Sequence, residues 1–182
     1  LLAGILYAVC LSACDAKEPL PENRDAEIES PVIANDLSNQ KVTAIAEDTQ
    51  GHIWIGTFRG LNKNNVHDYH QYFCTDDSLG LPDNQITHLL RDSKNRFWVG
   101  TVNGVCLYTD KDNFRIIPIE ADNKNVRQIL EDRNGRIFLS TGFQLYAYHP
   151  REEKITCVLP EICTGNTFYA QCHIAPDNNL WV

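Results

Sequence analysis

The stretch DTQGHIWIGT at residues 48–57 decides the fold, because close copies of it recur along the chain: DSKNRFWVGT at 92–101, DRNGRIFLST at 132–141 and DNNLWV at 177–182. The shared aromatic position advances by about 40 to 44 residues from one copy to the next, from Trp54 in the first copy to Trp181 in the last. This period is typical of the four-stranded blades of a β-propeller and differs from the periods of helical repeats.

The first three copies open with a residue pattern that suits a tight turn. The Asp carboxylate can accept backbone N–H groups of the turn, and Gly51 or Gly135 supplies a positive φ. Asn95 replaces Gly in the second copy, and Asn is the residue next best suited to that conformation. Because these residues recur from blade to blade, we assign them to turns and not to a catalytic set of carboxylates: Asp48, Gly51, Asp92, Asn95, Asp132 and Gly135.

Short apolar runs separated by Asn, Asp and Gly fill the chain from Pro31 onward, and no long helical pattern interrupts them. They predict blades at about residues 42–74, 86–120 and 126–159 and the start of a fourth at 168–182. We expect Val32–Ala34 to form an outer strand that pairs with the last blade of the full chain. The predicted fold class is all-β: an incomplete β-propeller of four-stranded antiparallel blades, spanning residues 31–182.

The first 14 residues, LLAGILYAVCLSAC, carry no charge and are mostly apolar. They are too few to span a bilayer as a helix, and they fit the apolar core of a secretory signal peptide. Leu11–Cys14 resembles a bacterial lipobox, which predicts a lipid on Cys14; the alternative is an ordinary signal peptide with an incidental cysteine. Residues 15–30 are charged and contain proline, as is typical of a flexible tether. Since the chain starts without Met and stops inside its fourth repeat, we expect a fragment of a longer protein.

Composition narrows the classes of partner and chemistry. The net charge of −8, with no cluster of Lys and Arg, argues against nucleic acid and anionic lipid as partners. Five cysteines follow Cys14, and no Cys/His set has the spacing of a zinc site. Cys157 and Cys163 flank a turn and could pair, the alternative being that all five are buried thiols. No catalytic Ser/His/Asp order or phosphate-binding loop is present, so we predict no catalytic residue, metal or cofactor.

Two of the copies, in residues 42–61 and 81–105, closely resemble the two-component regulator propeller repeat, and the resemblance extends over about residues 35–182. The third copy departs from the pattern at Phe138 and Ser140, and Ala175 stands where the fourth would have Asp. The resemblance implies a periplasmic ligand-sensing propeller, placed ahead of a β-sandwich, a membrane helix and a histidine kinase. Many members of that family sense oligosaccharides.

Candidate ligand-binding residues are sought where the blades differ. In propellers the loops that join strands 2 and 3 of each blade lie around one mouth of the central channel, and polar side chains of the inner strands line the channel. Arg59 is the strongest candidate, because the next blade has Asn103 in its place and the repeat therefore does not require Arg. The predicted set is Phe58, Arg59, His88, Asn103, Gln128, Gln144 and Gln171; the alternative is solvated loops and a water-filled channel.

We therefore predict the ligand-sensing propeller of an exported, membrane-anchored two-component receptor in the periplasm or cell envelope. Its expected partners are an oligosaccharide or other small ligand, the membrane through a lipid anchor or a downstream helix, and a second copy of the full-length receptor. One alternative is a stand-alone propeller lipoprotein that acts as a binding scaffold. Another is a propeller lyase or glycosidase whose active site lies in blades outside this chain.

Overall fold

The computed structural model describes residues 31–75, 80–109, 111–121, 123–141, 144–158 and 172–181. Within these ranges the chain forms antiparallel β-sheets and no helix. Three sheets each contain the four sequential strands of a propeller blade, and a two-stranded sheet belongs to a fourth blade. The fold class predicted from the repeats is thereby confirmed. No helix in the described part of the chain is long and apolar enough to cross a membrane.

Each blade runs in chain order from an inner strand to an outer strand, and the inner strands β2, β6 and β10 of successive blades lie side by side. Blade 1 consists of β2 (Val42–Glu47), β3 (Ile53–Thr57), β4 (Gly60–Asn65) and β5 (Asp68–Tyr72). Blade 2 consists of β6 (Ile86–Arg91), β7 (Phe97–Thr101), β8 (Gly104–Tyr108) and β9 (Phe114–Ile117). Blade 3 consists of β10 (Gln128–Glu131), β11 (Ile137–Ser140), β12 (Leu145–His149) and β13 (Lys154–Cys157). Blade 4 contributes β14 (His173–Ile174) and β15 (Leu180–Trp181).

The strand β1 (Val32–Ala34) does not lie where the sequence analysis placed it. It pairs antiparallel with β5, with Ile33 opposite His70, and so becomes a fifth, outermost strand of blade 1. The expected pairing of this strand with the last blade is therefore wrong in this structure. The edge of β5 offers unpaired backbone groups close by in the chain, and Gln71 Nε2 donates to the carbonyl oxygen of Asp36 at 2.8 Å, which holds the incoming segment against that edge.

The turn that opens each of the first three repeats is built around a carboxylate. In blade 1, Asp48 Oδ1 accepts the backbone N–H groups of Gln50 at 2.8 Å and His52 at 3.0 Å. Its other oxygen accepts the indole N–H of Trp54 at 2.9 Å. Trp54 is fully buried, and a buried indole N–H needs an acceptor. The same carboxylate therefore closes the turn and satisfies the tryptophan at the centre of the blade.

Blades 2 and 3 repeat this arrangement with one informative difference. Asp92 accepts the backbone N–H of Arg96 at 2.9 Å and the indole N–H of Trp98 at 2.8 Å. Asp132 accepts the backbone N–H of Arg136 at 2.8 Å, but Phe138 replaces the tryptophan and offers no donor. The turn residues with positive φ are Gly51, Asn95, Gly135 and, in the fourth copy, Asn178.

The blades stack face to face through apolar clusters. Trp54 and Leu61 of blade 1 pack with Ile86 and Val99 of blade 2. A Cβ atom added at Gly56 would lie 2.5 Å from the Cγ2 atom of Ile86, so glycine is required where β3 meets the next inner strand. A second cluster fills the space between blades 2 and 3 around Trp98, Val126 and Ile129, and a third lies around Phe138, Leu145 and Cys172.

The face of blade 1 that points away from blade 2 remains open to solvent in the described structure. Ala44 and Ala46 pack into the cluster between blades 1 and 2, whereas the alternating Ile45 is 65 % exposed. Val42 and Ile53 are exposed in the same blade. Strands with apolar residues on both faces are typical of a sheet that packs between two others.

Asp92→Ala is expected to lower the free energy of unfolding by about 1–3 kcal/mol, because the buried Trp98 N–H would lose its acceptor. Urea unfolding of the purified propeller measures this loss. Asp177→Ala is the matched control, since Asp177 is an exposed turn residue of the fourth copy. In the Asp92→Ala background, Trp98→Phe should lower the free energy of unfolding by less than it does in the native protein, because phenylalanine has no N–H group that needs an acceptor. Equal unfolding midpoints for Asp92→Ala and the native protein would contradict this account.

Acid is expected to destabilise the propeller through these turns. Burial alone raises the pKa of Asp48 and Asp132, but hydrogen bonds to their carboxylates outweigh it, so both pKa values lie below their ordinary value of 3.8. A lowered pKa in the folded state stabilises the fold above pH 3.8, and this contribution is lost as the pH falls through the folded-state pKa. The urea concentration at the midpoint of unfolding should therefore decrease as the pH is lowered below about 4. Asp132→Asn should make this decrease smaller. If the urea midpoint of the variant depended on pH as steeply as that of the native protein, Asp132 would not contribute to the acid sensitivity.

Candidate functional site

The rim residues predicted from the sequence lie in the turns between the second and third strands. Phe58 and Arg59 join β3 to β4, and the Lys41 ammonium lies 3.6 Å from the centre of the Phe58 ring, over its face. The Arg59 side chain is exposed, and it forms no ion pair with any residue that the structure describes. One face of the aromatic ring is thus covered by a neighbour within blade 1.

The corresponding turns of the next two blades carry the amides of the predicted set. Asn103 is exposed in the turn between β7 and β8, where its backbone N–H donates to Thr101 Oγ1 at 3.2 Å. Gln144 is half-buried ahead of β12, and its side-chain oxygen accepts a hydrogen bond from the Tyr146 hydroxyl. No hydrogen bond among the described residues links Arg59, Asn103 and Gln144 to one another.

The channel residues of the set connect neighbouring blades. The His88 ring of β6 hydrogen-bonds the backbone of Ile129 in β10, and burial lowers the pKa of His88 despite that bond. Gln128 Oε1 accepts the backbone N–H of Cys172 in blade 4 at 3.1 Å. Both polar groups are thus engaged in holding adjacent blades together. Gln171 lies outside the described residues.

A different group of side chains lines a cavity of about 280 Å³ between blades 1 and 2. This cavity, the blade 1–2 cleft, lies at the end of the blades that carries the Asp turns, opposite the predicted rim. It is lined by Asp48, Thr49, Gln50, Lys63, Arg91, Asn95, Phe97, Tyr108, Thr109 and Asp112. Asp48 and Asn95 are among the predicted turn residues, and the other lining residues were not predicted as site residues.

Asp112 organises the wall of the cleft. It lies in the turn between β8 and β9 with a φ of 57°, and its Oδ1 atom accepts the hydroxyls of Tyr72 and Tyr108, each at 2.7 Å. Burial acts to raise the pKa of Asp112, but these two hydrogen bonds and the charge of Lys63 lower it below its ordinary value. Burial and the same carboxylate raise the pKa of both tyrosines. Asp112 is therefore ionised at neutral pH and holds blade 2 to the outer strand of blade 1.

Lys63 brings a cation to the same place. Its ammonium lies 3.4 Å from the Tyr108 hydroxyl oxygen and 5.3 Å from the centre of the Trp54 ring. The side chain is half-buried, yet it forms no ion pair within the described part of the chain. Arg91 lines the cleft as an exposed residue and likewise forms none.

The repeat alignment contains the signal that finds this site. Lys63 pairs with Trp54 across β3 and β4, and Leu107 pairs with Trp98 in the same register of blade 2. A lysine at the position of a buried leucine is a departure that the repeat architecture does not require. Among the described residues, no group of three or more His, Cys, Asp or Glu side chains could hold a metal ion.

Comparisons with known proteins agree with this architecture. Residues 36–59 and 80–103 match the family model of the two-component regulator propeller. No curated protein sequence is significantly similar to the chain.

Several solved structures share the fold. An extracellular domain assigned to a hybrid two-component system of B. thetaiotaomicron superposes with a TM-score of 0.66 at 24% identity, over 77% of this chain and 19% of that one. A second such domain from the same organism gives a TM-score of 0.64 at 22% identity, over 80% of this chain and 21% of that one. The chain therefore spans about a fifth of those domains.

Virginiamycin B lyase from Staphylococcus aureus also shares the fold, with a TM-score of 0.59 at 20% identity over 82% of this chain and 51% of the lyase. Similarity at these identities establishes the fold alone. The family model adds sequence evidence: residues 36–59 and 80–103, which lie in blades 1 and 2, are similar to the two-component regulator propeller repeat.

Proposed function

We propose that this chain is part of the ligand-sensing propeller of an exported two-component receptor, which binds an oligosaccharide and relays its presence to a histidine kinase. The observation that carries the proposal is the match of two consecutive blades to the two-component regulator propeller model. Structural neighbours that are extracellular domains assigned to hybrid two-component systems support it, and they favour a location outside the cytoplasm.

The chemistry of the surface also favours a sugar as ligand. The rim and the blade 1–2 cleft both present amides, hydroxyls and cations beside aromatic rings: Arg59 with Phe58 at the rim, and Lys63 with Tyr108 in the cleft. Such side chains supply hydrogen bonds to hydroxyl groups and apolar contact to the ring face of a sugar.

The test is binding and signalling by the full-length protein. Calorimetry with a panel of di- to octasaccharides should find at least one that binds, and the same saccharide should switch on a transcriptional reporter in cells. An oligosaccharide that binds without changing the reporter would favour the scaffold alternative. Turnover of the saccharide by the purified protein would favour a lyase or glycosidase. No binding by any member of the panel would contradict the proposed ligand class.

Membrane attachment through Cys14, which lies outside the described residues, is a separate part of the proposal. It rests on the apolar run that ends in Leu-Ser-Ala-Cys. Cys14→Ala is expected to leave the protein unprocessed or to release it from the membrane fraction, whereas substitution of Cys10 within the apolar run should not. Mass spectrometry of the mature N-terminus measures the outcome directly. An unmodified N-terminus at another residue would show that no lipid is attached here.

A further inference from the structure

The turns of blades 2 and 3 each receive a hydrogen-bond acceptor from the next blade. Between blades 2 and 3, the backbone N–H of Ser93 donates to Glu131 Oε2 at 2.8 Å, and the Ser93 hydroxyl donates to the other carboxylate oxygen. Between blades 3 and 4, the backbone N–H of Arg133 donates to Asn178 Oδ1 at 2.8 Å. Ser93 and Arg133 each follow the turn aspartate, so two of the described blades receive an acceptor at the same point, Ser93 from an inner strand and Arg133 from a turn.

The blade 1–2 cleft departs from this pattern. Thr49 is the equivalent of Ser93 and keeps both of its donors, the backbone N–H and a side-chain hydroxyl. The position of Glu131 is occupied by Arg91, which cannot accept a hydrogen bond. Within the described residues no side chain or backbone oxygen accepts from Thr49, which is exposed at the cleft. The N–H and hydroxyl donors of Ser93 thus bind a carboxylate between blades 2 and 3, whereas the equivalent donors of Thr49 are open to solvent between blades 1 and 2.

The blade 1–2 cleft is also more positively charged than the equivalent positions between blades 2 and 3. Arg91 stands where blade 3 has Glu131, and Lys63 stands where blade 2 has Leu107. Lys94 stands where blade 1 has Gln50 and offsets one unit, so together these replacements make the blade 1–2 cleft more positive than its neighbour by about two units of formal charge. The carboxylates that remain are already engaged, since Asp48 accepts from Trp54 and the turn and Asp112 accepts two tyrosine hydroxyls.

We propose that the blade 1–2 cleft binds an anionic oxygen group, a carboxylate or a sulfate, carried by one unit of an oligosaccharide. The group takes the place that the Glu131 carboxylate fills in the next cleft. Thr49 donates its N–H and hydroxyl, while Arg91 and Lys63 supply charge-assisted hydrogen bonds. A volume of about 280 Å³ suits a single sugar unit. The sugar part of this inference rests on the proposed function; the anion part rests on the cleft alone.

The side-chain amide oxygen of Asn95 is an alternative acceptor for the same donors. Asn95 lines the blade 1–2 cleft. It occupies the repeat position of Asn178, whose side-chain oxygen accepts from the backbone N–H of Arg133 between blades 3 and 4. In the structure its side chain makes no hydrogen bond to Thr49. Asn95→Gly, which installs the residue found at Gly135, removes this alternative acceptor and keeps the positive φ. Anion binding should persist or tighten in this variant.

Calorimetry on the full-length protein in mild detergent tests the proposal, with glucuronate, glucose 6-sulfate and glucose as probes. At least one anionic probe is expected to bind 10-fold or more tightly than glucose, and its affinity should fall as salt is added. The tighter of the two anionic probes identifies carboxylate or sulfate as the group recognised. Equal affinities for all three probes would overturn the proposal.

Two variants replace a residue of the blade 1–2 cleft by the residue found at the equivalent position between blades 2 and 3. Arg91→Glu installs the carboxylate found at position 131, and Lys63→Leu installs the side chain found at position 107. Each should weaken anion binding by roughly 10- to 150-fold, the loss expected for a charge-assisted contact. Arg91→Glu should also keep or raise the unfolding midpoint, because the new carboxylate can accept from Thr49. Arg151→Ala, which removes an exposed arginine from the turn between β12 and β13 of blade 3, is the matched control and should bind normally. Arg59→Ala tests the rim as the alternative site.

The outcomes separate this inference from the proposed function. If Arg59→Ala loses the anion and both cleft variants keep it, the site is at the rim and the inference is wrong. If an oligosaccharide activates the reporter equally in native and Arg91→Glu receptors, the cleft proposal fails and the sensor function stands. If glucuronate or glucose 6-sulfate binds in the cleft but no saccharide activates the reporter, the anion site stands and the proposed function fails.

Discussion

The hydrogen bond from a buried tryptophan to the turn aspartate six residues earlier is the interaction on which this architecture depends. Trp54 and Trp98 are large enough to fill the space between neighbouring sheets, but each carries an N–H group that cannot be left unpaired in an apolar cluster. Asp48 and Asp92 supply the acceptors and at the same time cap the turns between the first two strands. One carboxylate thus couples the turn to the core in blades 1 and 2, whereas in blade 3, where Phe138 has no donor, Asp132 closes the turn and binds Arg136.

Close stacking of the blades then determines which polar groups are available for binding. His88 and Gln128 were predicted to line a channel, yet His88 contacts the backbone of Ile129 in β10, and Gln128 contacts the backbone N–H of Cys172 just ahead of β14. The groups available to a ligand are those that the stacking does not use. In the blade 1–2 cleft these are Thr49, Lys63 and Arg91, because no residue of blade 2 that the structure describes accepts a hydrogen bond from Thr49.

The repeat made the fold predictable from the sequence, and the same regularity marks the limits of that prediction. Blade bounds, turn aspartates and positive-φ residues follow from local patterns that recur, since they depend on residues close together in the chain. The placement of β1 on β5 and the binding of Tyr72 and Tyr108 by Asp112 join distant segments, and no local pattern encodes them. Lys63 and Arg91 were visible as departures from the repeat, but their common cleft became evident only once the blades were stacked.

The central claim is that the repeat builds the blades and that its departures between blades 1 and 2 form the binding site. A crystal structure of the full-length extracellular region with bound glucuronate tests this most directly. The account predicts the carboxylate within about 3 Å of the Thr49 backbone nitrogen, with Arg91 and Lys63 turned toward it. Density for the sugar at the Phe58–Arg59 rim, with the blade 1–2 cleft holding only water, would contradict it.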